Sequence, residues 1–105
     1  KKVDLFCHYR PIAASSKFNL DGRIRDISLD GLAVRVSRRN AANVPHATGD
    51  IFVVSTVLPN RKNLELEAEV VTVLKSEMPE ELELSMTITD ISAGSRKSLG
   101  FFLMP

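Results

Sequence analysis

The stretch "NLELEAEVVTVL", Asn63 to Leu74, changes character at every residue. In an extended chain Leu64, Leu66, Ala68 and Val70 leave one face, and Glu65, Glu67 and Glu69 leave the other. A helix, with about 3.6 residues per turn, would scatter the same side chains around its axis. The pattern therefore demands a strand with one buried and one wet face. "ELELSMTI" repeats it, with Leu82, Leu84, Met86 and Ile88 inward. Between the two lies the polar "KSEMPEE" with Pro79, so they are expected to form a long antiparallel hairpin. Its apolar face then has to be covered by the rest of the chain.

The remaining segments supply more strands and no clear helix. "SSKFNLDGRIRDIS" holds Asp21-Gly22 between two strand-like runs, a two-residue hairpin signal that would pair Pro11–Leu20 with Arg23–Ser28. "GLAVRV", "DIFVVSTVL" and "LGFFLM" read as further strands. The expected fold is all-β, a small antiparallel barrel or sandwich of six to seven short strands with little or no helix. "RDISLDG" and "TDISAG" both place Asp-Ile-Ser ahead of a glycine, and are read as two Asx- or Ser-type turns ending strands.

At 105 residues the chain is read as one domain, 1–105, open to neighbours in a longer parent protein, with 1–10 as a flexible N-terminal segment. The single Cys7 excludes an internal disulfide and a thiolate cluster, and a cytoplasmic setting is expected. No apolar run is long enough for a membrane span. The net charge of +1 hides an asymmetry. Residues 1–40 carry nine Lys and Arg against four acids, and residues 41–105 carry five against nine. Converging N-terminal cations would attract a small anion, while the acidic remainder would discourage DNA.

Chemistry is sparse. In "DISLDG", Asp26 and Ser28 are two apart, and Gly31 lets the backbone approach another group closely. One reading is a strand corner in which Asp26 and Ser28 satisfy their own turn. The other is a carboxylate, a hydroxyl and an unshielded backbone facing one polar ligand. His8 beside Cys7 lacks a clear third metal ligand, and Glu65, Glu67 and Glu69 read as a solvated face. No nucleophile–base set or phosphate loop marks an enzyme, and one Tyr with no Trp gives an RNA-binding barrel few stacking platforms.

Asp26, Ser28 and Gly31, in the order D-x-S-x-x-G, together with the "TGDIFVV", "LELEAEVVTV" and "LGFFLM" segments, resemble the PilZ domain family. The resemblance implies a split-barrel fold and a non-enzymatic bacterial receptor for cyclic di-GMP, with the nucleotide as ligand and no cofactor or metal. The family also carries R-x-x-x-R ahead of its first strand. Arg10 looks like the second of that pair, leaving Phe6 in the first place; taken as the first, it leaves Ala14 in the second. One arginine is absent either way, and Lys1, Lys2, Lys17, Arg23, Arg25, Arg38 or Arg39 would have to supply charge. The implied site is Arg10, Asp26, Ser28 and Gly31, with a protein partner or neighbouring domain reading out an ordered N-terminal segment. The alternative is a PilZ-like interaction module that no longer binds nucleotide.

Overall fold

The computed structural model describes residues Lys1–Pro105 and contains six strands and two short helices. In chain order these are β1 (Lys2–Pro11), β2 (Leu20–Ile27), β3 (Gly31–Ser37), α1 (Arg38–Asn43), β4 (Ile51–Val57), β5 (Asn63–Lys75), β6 (Glu81–Ile91) and α2 (Ala93–Leu103). The strands close into an antiparallel barrel in the order β1-β2-β3-β6-β5-β4. Closure leaves no complete strand edge unpaired, which answers the hazard of an open sheet. No helix is long and apolar enough to cross a membrane.

The alternating segments behave as their pattern requires. Leu64, Leu66, Ala68 and Val70 of β5 and Leu84 and Met86 of β6 are buried, with Leu82 and Ile88 half-buried beside them. They meet Tyr9, Ile24, Ile27, Val34, Val36, Phe52 and Val54 in one core. Each fully buried side chain of this size contributes about 1.5–3 kcal/mol.

Three expectations are corrected. Asp21-Gly22 is not a hairpin turn but lies inside β2, where Asp21 pairs with His8 and Gly22 with Cys7. Gly22 is there for space: a Cβ would sit 3.2 Å from Arg35 O and 3.3 Å from Tyr9 Cε1. Residues 1–10 are not a flexible arm. Lys2–Pro11 is β1, hydrogen-bonded between β2 and β4, with Cys7 and Tyr9 in the core. Finally, "LGFFLM" belongs to α2 rather than to a seventh strand. Ser92 caps this helix by accepting from Ser95 N–H at 3.1 Å, and Leu99, Phe102 and Leu103 turn toward the barrel at helical spacing. A contiguous apolar run carries no periodicity of its own, so only packing distinguishes strand from helix there.

Candidate functional site

β2 is buried at Gly22 and Ile24, and strict alternation would put residue 26 in the core as well. A bulge at Arg25 prevents this: Ile24 pairs with Val34 and Asp26 with Ala33, leaving Arg25 extra. The slip by one residue sends Ile27 inward and turns the Asp26 carboxylate out to solvent. Ser28 then begins the turn into β3. Its Oγ accepts from the N–H of Gly31 at 3.1 Å and of Asp30 at 3.3 Å, and lies 3.3 Å from Gly31 O. Gly31 opens β3 against β6 so closely that a Cβ would lie 2.6 Å from Met86 O.

Asp26, Ser28 and Gly31 line one open cleft of about 260 Å³, completed by Leu32, Ala33, Ser85 and Met86. The β6 wall, Ser85 and Met86, has no signal in the sequence because only the β3–β6 register brings it there. One side-chain cation stands at the edge. Lys2 Nζ is 3.4 Å from Asp26 Oδ2, whereas Lys1 Nζ donates to Phe102 O at 3.3 Å and lies over the Phe102 ring. Of the seven cations considered from sequence, Arg23 and Arg25 are instead engaged with Asp4, at 2.8 and 3.2 Å.

Arg10 is not brought to this cleft. Lys2 is the residue opposite Asp26, and Arg10 lies eight positions further along β1, about 26 Å away at strand spacing. It sits in the row Arg10–Val53–Glu67–Asp90 across β1, β4, β5 and β6. There it donates to Ala14 O at 3.2 Å and lines a separate cleft of about 280 Å³ with Glu65, Glu67, Asp90 and Ser92. Three carboxylates line that cleft with the one guanidinium, and its acidic balance disfavours a phosphate. Phe6 is 49% exposed on the barrel's outer surface, edge-on to His8, and lines neither cleft.

Cys7 and His8 leave opposite faces of β1. Cys7 is buried, and burial pushes its thiol pKa up to about 12. His8 is exposed and pairs with Asp21 at 3.0 Å. The second histidine, His46, is buried over the barrel end. Its Nδ1 donates to Val44 O at 2.7 Å, so its Nε2 accepts from the Tyr9 hydroxyl at 2.7 Å, and Asn40 Nδ2 donates to the same hydroxyl oxygen at 3.1 Å. Burial lowers the His46 pKa and raises that of Tyr9. The two Asp-Ile-Ser segments do end strands in serine-based turns: Ser28 accepts from Gly31 N–H, and Ser92 caps α2.

A family model described as PilZ domain matches residues 6–104. No curated protein matches the chain. Among solved structures, the Bacillus subtilis inhibitor of motility (MotI/DgrA) superposes with a TM-score of 0.76 at 18% identity, over 98% of this chain and 47% of that one. The PilZ domain of YcgR from Escherichia coli, described with c-di-GMP, superposes with a TM-score of 0.64 at 16% identity, over 92% of this chain and 76% of that one. This chain thus spans less than half of the first structure, and at these identities the likeness is one of fold.

Proposed function

The chain belongs to the PilZ domain family, and from that premise we propose that it is a non-enzymatic receptor module for cyclic di-GMP. The observation that carries the reading is the single cleft shared by Asp26, Ser28 and Gly31 with Lys2 at its edge. A carboxylate turned to solvent is an acceptor for the paired N–H donors of a guanine edge, and the Lys2 ammonium neutralises phosphate. In the free module that ammonium rests on Asp26. Binding is therefore an exchange: the guanine edge takes the carboxylate, and Lys2 moves to a phosphate. The readout is a displaced N-terminal end of β1, felt by whatever protein segment adjoins it. The fold's likeness to an inhibitor of motility supports motility as the process to examine first.

Arg10 has no part in this reading and serves as its control. Calorimetric titration with cyclic di-GMP is expected to show saturable binding that Asp26→Ala and Lys2→Glu weaken at least tenfold, with Arg10→Ala within about twofold of the parent. No heat at high micromolar ligand overturns the receptor reading and leaves the interaction module. That second reading is favoured by one observation: Ser28 already spends its hydroxyl on its own turn.

A further inference from the structure

Where the β4–β5 turn meets α2, Asn60, Lys62, Lys97, Ser98 and Phe101 line a groove of about 390 Å³. Arg61 and Arg96, next in the chain to the two lysines, are exposed. Four of the five Lys and Arg residues of positions 41–105 thus lie in or beside one groove. None of the four is paired with a carboxylate, whereas every ion pair in the molecule falls within residues 1–26. Glu65, a close acidic neighbour in the chain, lines the Arg10 cleft instead. Its N–H donates to Ser95 Oγ at 3.2 Å and pins the first turn of α2 against β5. Phe101 is 61% exposed, although Leu99, two residues earlier, is wholly buried.

The turn itself adds a second observation. Leu58 N–H donates to Lys62 O at 2.9 Å and Arg61 N–H to Leu58 O at 2.8 Å, and this closure holds Arg61 at φ 67°. It is the molecule's one non-glycine residue at positive φ, a conformation natural to glycine and costly for any other side chain. Folding alone does not call for an arginine there.

We propose that this groove is a docking surface for an acidic polypeptide segment. Carboxylates of the partner meet Lys62 and Lys97, with Arg61 and Arg96 extending the positive field, and an apolar side chain lies on Phe101 between them. Asn60 and Ser98 provide hydrogen bonds for the partner's backbone. Charges spread over two segments suit a ligand with several separated anionic groups rather than one phosphate. A long nucleic acid is disfavoured, because one ring offers a single stacking surface. The groove shares no residue with the Asp26 cleft, so the inference stands independently of nucleotide binding.

Fluorescence anisotropy with a labelled peptide of repeating Glu-Leu-Glu tests it. Binding is expected to weaken with added salt, to fall at least tenfold in a Lys62→Glu/Lys97→Glu variant and severalfold in Phe101→Ser, and to be unchanged in Asp26→Ala. Arg61→Gly separates function from folding: its melting temperature is expected to hold or rise while peptide affinity falls. Equal affinity of the parent and the double variant overturns the proposal. So does the absence of peptide binding, or tighter Lys62- and Lys97-dependent binding to phosphatidylglycerol vesicles or to a single-stranded oligonucleotide.

Discussion

Lys2 and Asp26 are direct partners across β1 and β2, with Nζ 3.4 Å from Oδ2, while Arg10 ends the same strand in another cleft. The Lys2 side chain is 92% exposed and that of Asp26 43%, so their ion pair contributes no more than about 1 kcal/mol to stability. Lys2→Ala is expected to leave the melting temperature within a degree or two of the parent while weakening cyclic di-GMP binding. Thermal unfolding followed by circular dichroism, run beside the titration, checks both halves.

Gly31 has a packing task that is separable from any ligand. With a Cβ only 2.6 Å from the Met86 carbonyl, Gly31→Ala forces β3 away from β6. A destabilisation of about 1–3 kcal/mol is expected from such overpacking, measurable by urea denaturation without nucleotide. An unchanged midpoint would show that the two strands can part freely at this point.

The Tyr9–His46–Asn40 network gives the fold a pH dependence. His46 has a folded pKa below its ordinary 6.5, because burial penalises the imidazolium. The unfolded chain therefore binds more protons in the window from 6.5 down to the lowered value, and stability falls as pH drops through it. Asp4, lowered by its hydrogen bond with Arg23, loses its contribution only further down, below 3.8. Denaturation midpoints are expected to decline between pH 7.5 and 5.5 in the parent, and to be lower but flat over that range in His46→Asn.

Cys7 is expected to be inert in the native state. With its pKa near 12 and its side chain 1% exposed, almost no accessible thiolate exists at pH 8. Ellman's reagent should react at the rate of unfolding, and at once in denaturant. Rapid reaction without denaturant would mean that β1 opens locally.

Leu99 anchors α2. It is the helix's one fully buried side chain, and Leu99→Ala should cost about 2–5 kcal/mol. Because α2 packs on β5, the same change should also loosen the groove containing Lys97 and Phe101, visible as faster amide exchange from Ser95 to Leu103.

Local patterning determined much of this protein. Period-2 alternation in β5 and β6 specified which side chains face the core, since successive strand residues must leave opposite faces. The D-x-S-x-x-G spacing marked the corner where the cleft forms. Register and packing decided the rest. A bulge at Arg25, invisible in composition, turned Asp26 outward; the β1–β2 pairing put Lys2 rather than Arg10 beside it; and the β3–β6 pairing supplied Ser85 and Met86. The Asp21-Gly22 dipeptide favoured a turn locally, but long-range pairing with Cys7 and His8 kept it in a strand. "LGFFLM" took the helical form because a capped helix could set Leu99 into the barrel. Such choices depend on residues far apart in the chain, and spacing along a sequence carries no information about which distant segment will lie alongside.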